Sequence, residues 1–286
     1  MWNPFNRNTI SNSSASKRSL QLITQKGMPF AYVEAYKALR TNLNFLSGSG
    51  DVHAFVVTST VPEEAKSNVS VNLALALTES GKKVVLVDCD LRKPVLHRYL
   101  KAGHNLKGVS NVLSRQVALS DALVELKDIP NLTFLPAGTT PPNPSELLSQ
   151  PQMQEIVNTL RGSYDFVILD APPISMVTDA AVIGRIVDGA LFVVRSKYAS
   201  TDAVKTALEK LQDAGVKVLG AVLTRYDAKK SLKRSDYGYG YYYYNSNYSY
   251  GPPDGISESA AKKSGLTSKK QHNGKEKHSV HTEDEA

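Results

Sequence analysis

The chain of 286 residues predicts an α/β domain, a parallel β-sheet sandwiched by helices. Three observations carry this expectation. Short apolar runs rich in Val, Ile, Leu and Phe alternate with longer helical patterns. The runs are continuous rather than alternating, as strands buried on both faces must be. Two of the runs are followed at once by Asp residues and a third by a polar loop leading to Lys and Ser, at the carboxyl ends of strands where ligands bind in such sheets.

Taken in order, residues 1–27 are rich in Ser, Asn and Thr and predict a disordered N-terminal tail. The domain is expected over 28–227, opening with a helix over 31–47. In that helix Tyr32, Tyr36, Leu39, Leu43 and Leu46 recur at spacings of three and four, one apolar stripe. Glu34, Lys37 and Arg40 form a second, charged stripe, whose plainest reading is a solvated face with a Glu–Lys pair. Strands are predicted over 54–58, 83–87, 132–135, 166–169, 190–194 and 218–223, with helices between them over 68–79, 145–161 and 201–214. A polar linker and a tyrosine cluster follow over 228–250, and 251–286 reads as a disordered polar tail. Eight of the 14 tyrosines are Tyr237, Tyr239, Tyr241, Tyr242, Tyr243, Tyr244, Tyr248 and Tyr250. They alternate with Gly, Asn and Ser in a low-complexity pattern that fits no core.

The formal net charge of +7 is unevenly placed. Residues 1–50 carry six Lys/Arg against one Glu, 51–227 carry 18 against 19 acidic residues, and 228–286 carry ten against seven. The middle is nearly neutral, which argues against a folded nucleic-acid-binding face; basic flanks suit solvated tails or proximity to an anionic membrane surface. One cysteine, Cys89, excludes an internal disulfide framework and fits a reducing compartment. Cys89 reads as a small buried residue. No apolar run approaches the roughly 20 residues that span a bilayer, and the N-terminus has no signal-peptide core.

The stretch from Phe55 to Asn68, FVVTSTVPEEAKSN, reads as strand, polar loop, Lys-Ser, helix. That is the layout of a phosphate-binding loop: helix N-terminal N–H groups face the phosphates, Lys66 neutralises their oxygens and the Ser67 hydroxyl binds Mg²⁺. The strict pattern G-x-x-x-x-G-K-[ST] fails where Thr60 and Ala65 replace glycine. Two more strand ends supply carboxylates, Asp88 and Asp90 after one and Asp170 after the other. A hard cation such as Mg²⁺ takes oxygen ligands of this kind. Asp88 and Asp90 flank one residue, and like charges so close are costly unless a cation sits between them. Asp179 is a weaker fourth candidate.

With these residues in view, the chain resembles the bacterial tyrosine kinases (BY-kinases) of capsule and exopolysaccharide synthesis, the CpsD/CapB group. Their fold is of the MinD/ParA-like P-loop type. VVLVDCDLR (84–92) resembles the family's D-x-D-x-R motif, and VILDAPP (167–173) its Walker B motif. GTTPPNPSELL (138–148) is a further stretch typical of these kinases. EAYKALRTNL (34–43) resembles the ring-assembly region E-x-x-R-x-x-R, with Lys37 in place of the first Arg. The tyrosine-rich segment resembles the autophosphorylated cluster. Where the family's loop reads P-G-x-G-K-S/T, this chain reads Pro62-Glu63-Glu64-Ala65-Lys66-Ser67-Asn68. A Cβ at Ala65 is expected to crowd the β-phosphate. Glu63 and Glu64 place negative charge near a polyphosphate unless both turn to solvent.

The resemblance implies an ATP-dependent tyrosine autokinase using Mg²⁺, with Lys66, Asp88, Asp90 and Asp170 catalytic and Asp88 the candidate base. It implies Pro62, Glu63, Glu64, Ala65, Lys66, Ser67, Asn68 and Arg92 around the nucleotide. Ser67, Asp90 and Asp170 would hold the metal, and Glu34, Lys37 and Arg40 the homo-oligomeric ring. The tyrosines are the phosphoacceptors. Implied partners are a separate transmembrane polysaccharide co-polymerase (chain-length regulator) whose cytoplasmic tail activates the kinase, and a protein-tyrosine phosphatase; no nucleic acid is implied. The implied location is cytoplasmic, peripheral at the membrane's inner face. The alternative is a catalytically degenerate regulatory subunit of the same system. A partitioning ATPase of the MinD/ParA kind would carry an extra loop Lys, which Thr60, Val61 and Pro62 do not offer.

Overall fold

In the computed structural model, residues 21–48 and 52–226 are described. The expectations for 1–20, for the linker and tyrosine cluster, and for the C-terminal tail lie outside them. The elements are α1 (Phe30–Gly48), β1 (Ala54–Ser59), α2 (Lys66–Glu79), β2 (Val84–Asp88), α3 (Leu96–Tyr99), α4 (Val109–Leu113), α5 (Leu119–Ala122), β3 (Val124–Glu125) and β4 (Leu132–Leu135). They continue with α6 (Pro144–Leu148), α7 (Pro151–Arg161), β5 (Phe166–Asp170), α8 (Asp179–Gly184), β6 (Ala190–Arg195), α9 (Thr201–Asp213) and β7 (Val218–Thr224).

The sheet order is β3-β4-β2-β5-β1-β6-β7. Every pairing is parallel except that of β3 with β4. The continuous apolar runs have the consequence expected of them. Alternate residues of β1, β2 and β5 enter two separate cores: Val56, Val85 and Leu169 on one face, Phe55, Leu86 and Ile168 on the other. Because Asp88 pairs in register with Asp170, and Asp170 with Val57, three strands end together and their following loops share one rim.

The structure corrects the sequence expectation in four places. The helix expected over 145–161 is two helices, α6 and α7. Pro151 has no N–H and its ring clashes with the preceding turn, so it starts α7 and forces Gln150 into extended backbone, φ −66°, ψ 147°. The strand β3 was not expected; its two residues carry no apolar run. The first residues of the stretch 21–27, assigned to the disordered tail, pack on the domain: Ile23 is buried and its N–H donates to Asn72 Oδ1 at 2.8 Å, while 24–27 are exposed. The apolar stripe of α1 is buried at Tyr36 and Leu43 but leaves Leu46 exposed.

Candidate active site

The loop between β1 and α2 is built by hydrogen bonds rather than by glycine. Ile174 N–H donates to Ser59 O at 3.0 Å and Ser175 N–H to Thr60 O at 3.2 Å, which ties the loop to the turn after β5. Glu63 and Ala65 both adopt left-handed backbone, with φ of 71° and 72°. These are the two places where the resemblance puts glycine, and each non-glycine residue there costs about 1–2 kcal/mol. Ala65 thus already has a glycine-like backbone, and α2 begins directly after it.

The two glutamates part: Glu63 is exposed, whereas Glu64 turns inward. Glu64 is fully buried and points away from Lys66. Its Oε2 accepts from Val61 N–H at 2.8 Å, its Oε1 from Arg195 N–H at 3.1 Å, and its carbonyl from Thr224 Oγ1 at 2.9 Å. Glu63 accepts from Tyr198 OH at 3.4 Å through Oε2, and from Arg195 Nη1 at 3.4 Å through its carbonyl. The Arg195 guanidinium lies 4.3 Å over the Tyr198 ring. Two backbone donors thus meet the Glu64 carboxylate, and the Tyr198 hydroxyl meets that of Glu63. Pro62 is exposed at the loop tip.

Lys66 and Ser67 meet two of the three carboxylates. Lys66 Nζ lies 3.1 Å from Asp90 Oδ2 and 3.3 Å from Asp170 Oδ2. Ser67 Oγ donates to Asp170 Oδ2 at 2.6 Å, and Ser70 Oγ to Asp170 Oδ1 at 2.9 Å. Burial disfavours the Lys66 charge, but Asp170 and Asp90 outweigh it and hold the ammonium above its ordinary pKa. Burial raises Asp170, against the pull of Lys66, Ser67 and Ser70. Asp88 stands apart. Its Oδ1 accepts from Asp90 N–H at 3.2 Å and its Oδ2 from Leu96 N–H at 3.3 Å, so it clamps the loop after β2. Burial and the nearby Asp170 charge push its carboxyl up to about 8. The repulsion expected between Asp88 and Asp90 is relieved by protonation of the one and by Lys66 beside the other. Among the described residues no group of three or more His, Cys, Asp and Glu could hold a metal by itself. Cys89 is fully buried, and burial followed by the Asp88 charge pushes its thiol up.

The other expected residues are placed as follows. Asn68 turns from the loop: its Oδ1 accepts from Tyr32 OH at 3.0 Å and its Nδ2 donates to Gln21 O at 2.9 Å. Arg92 pairs with the fully buried Asp179, Nε to Oδ2 at 3.1 Å, and donates to Ser145 Oγ at 2.9 Å; Ser145 in turn bonds Asp179. The loops after β2, β4 and β5 are thereby tied together. On α1, Lys37 pairs with Glu34 at 2.7 Å, both about 42% exposed, while Arg40 Nη1 folds back onto Ala76 O at 2.8 Å. Sequence reasoning missed Ser70, Ser145, Arg195, Tyr198 and Thr224. Ser70 alone left a signal, since it lies three residues after Ser67 on the same helix face.

Comparison with known proteins decides the family. The family model described as AAA domain matches residues 64–218. The tyrosine-protein kinase YwqD of Bacillus subtilis is 37% identical over 205 residues, covering 72% of this chain and 84% of that protein. The chain belongs to the bacterial tyrosine-protein kinases. The crystal structure of the chimerical protein CapA2B2 superposes with a TM-score of 0.66 at 34% identity, over 71% of this chain and 88% of that one. The septum site-determining protein MinD of Pyrococcus horikoshii, complexed with Mg-ADP, gives 0.54 at 25% identity, over 65% and 72% of the two chains. The fold is thus of the MinD-like P-loop type, as the sequence predicted.

Proposed function

We propose that this kinase phosphorylates its own tyrosine cluster from Mg·ATP, subunit to subunit, in the control of capsular or exopolysaccharide synthesis. The observation that carries the reading is the convergence of Lys66 Nζ, Ser67 Oγ, Asp90 and Asp170 at one rim, beside a helix N-terminus. The residues fit the nucleotide and the ion. Thr60 Oγ1 is buried in the loop without a hydrogen-bond partner among the described residues. A buried polar atom left so is costly unless a ligand or water completes it. Ser67, Asp90 and Asp170 would hold Mg²⁺, which when bound supplies positive charge to the β- and γ-oxygens. Lys66, which neutralises the carboxylates in this structure, would turn to the phosphates.

In the reaction the tyrosine oxygen attacks the γ-phosphorus, the bond to ADP breaks, and the phenolic proton passes to a carboxylate. Asp88 is the acceptor in this reading: its carboxyl, pushed up to about 8, lies close enough to neutral pH to ionise and then take the phenolic proton. Each of its oxygens accepts one backbone N–H, which holds the carboxyl in place and leaves a lone pair on each. The wider cycle follows from the family resemblance: ring assembly, activation by the cytoplasmic tail of a separate membrane co-polymerase, charge-driven release of the phosphorylated tail, and reset by a tyrosine phosphatase. No helix among the described residues is long and apolar enough to cross a membrane, which suits recruitment by such a partner.

The left-handed Glu63 and Ala65 favour a second reading, a regulatory subunit with little turnover. Labelled ATP, Mg²⁺ and the partner's tail separate the two. Phosphotyrosine is expected with the native sequence and is expected to vanish in Lys66→Met. Its absence from both, with ATP binding intact in the native protein, would leave the regulatory reading.

A further inference from the structure

We propose that Glu64, Arg195 and Tyr198 are positioning residues that hold the nucleotide loop in its glycine-like shape, in a chain that has lost both loop glycines. The proposal rests on the nucleotide-binding reading above and adds a source of preorganisation outside the loop itself.

Glu63 and Ala65 sit in left-handed backbone, φ 71° and 72°, where a side chain is disfavoured. Strained backbone of this kind persists only where its surroundings over-determine it. Those surroundings are on view. The buried Glu64 carboxylate, between the two strained residues, bonds one N–H inside the loop at 2.8 Å and one at the end of β6 at 3.1 Å. The Thr224 hydroxyl, at the end of β7, fixes the Glu64 carbonyl at 2.9 Å. Arg195 reaches the Glu63 carbonyl while stacked on Tyr198, whose hydroxyl reaches the Glu63 carboxylate. The neighbouring strands β6 and β7 thus grip the strained segment from one side, while Lys66 and Ser67 face the carboxylates on the other. Glycine populates the left-handed region freely, so a loop with glycine at both places needs no such grip. This loop without it would relax, and only the fraction still in the phosphate-receiving shape would bind, weakening apparent affinity by that fraction.

The test is a cycle on the full chain, read as Mg·ADP affinity by calorimetry, with thermal denaturation confirming that each variant folds. Arg195→Ala in the native sequence is expected to weaken Mg·ADP by about tenfold. The same change in the Glu63→Gly/Ala65→Gly background is expected to alter it by no more than about twofold, because glycine has removed the strain. Tyr198→Phe, a surface change that deletes one hydroxyl, is expected to follow the same pattern with a smaller loss. Equal losses in the two backgrounds would overturn the proposal, since Arg195 would then act on the nucleotide directly. So would unchanged affinity of Arg195→Ala in the native sequence. A native protein that does not bind Mg·ADP at all would instead sink the nucleotide reading, and this proposal with it.

Discussion

Lys66 keeps its charge inside the protein because carboxylates face it, whereas burial and the Asp170 charge push the Asp88 carboxyl up against the opposing pull of Lys66. That division leads to a pH prediction for metal-free protein. Unfolded Asp88 titrates near 3.8, folded Asp88 near 8. Between those values the folded state binds more protons than the unfolded state, so stability falls as pH rises, and the loss from this group is complete above about pH 8. Asp88→Asn keeps much of the shape and removes the titration. In chelator-containing buffer its Tm is expected to decline less than that of the native protein between pH 5 and pH 9. A parallel decline of the two would show that Asp88 is ionised in the fold. At this scale the sequence was legible wherever a residue type and a strand end coincided, which is why Lys66, Ser67, Asp90 and Asp170 are found together. It was not legible for Glu63 and Glu64. Their effect depends on backbone φ and on partners at Val61, Arg195, Tyr198 and Thr224, most of them more than 130 residues away.

Elements deliver these residues, and the loop after β4 shows how tightly. Gly108, before α4, lies against the Pro136 carbonyl, and a Cβ there would run into that oxygen. Val109 N–H donates to Pro136 O at 2.8 Å, and Asn111 Oδ1 accepts from Gly108 and Thr139 N–H at 3.1 and 3.3 Å. Gly108→Ala must therefore displace backbone, and about 1–3 kcal/mol of stability should be lost, as in other overpacked sites. Urea denaturation measures this, and a change below about 0.5 kcal/mol would mean that the loop slides without cost. The strands of the sheet interior were legible because burial on both faces leaves continuous apolar runs, and the edge strand β7 because its own run is apolar though only partly buried. The strand β3 was not, since two residues paired at a sheet edge carry no pattern. The break before α7 was written in Pro151, but the apolar spacing on either side of it reads as one helix. The packing of Ile23 could not be read, because a single apolar residue in a polar stretch carries no period; only the distant Asn72 gives it a partner.

At the scale of the whole molecule, α1 presents a long exposed face. On α1, Phe30, Glu34, Lys37, Thr41 and Phe45 follow one another at spacings of three and four, and Phe30 and Phe45 are 67% and 76% exposed. Glu34 and Lys37 already pair there, whereas Arg40 is held by Ala76 O within the subunit. Assembly through this face would rest on charge pairs and weaken with salt. Glu34→Ala/Lys37→Ala should therefore lower the oligomer fraction seen by sedimentation with little effect on the fold, while Arg40→Ala should also lower stability. A ring makes a second demand. Head-to-tail contacts that close give each active site a neighbour's tail, and tethering raises that tail to an effective concentration of order mM. A Lys66→Met protein that retains its tyrosines, mixed with active protein truncated after Ser235, isolates the transfer between subunits. The Lys66→Met chain should become phosphorylated on tyrosine, and adding Glu34→Ala/Lys37→Ala to both proteins should slow that labelling. Each phosphate brings about −1.5 to −2 charges toward Asp90 and Asp170, so the labelled mixture should sediment as smaller species than the unlabelled one. If the Lys66→Met chain stays unlabelled while the native protein labels itself, transfer occurs within one chain and no ring is needed.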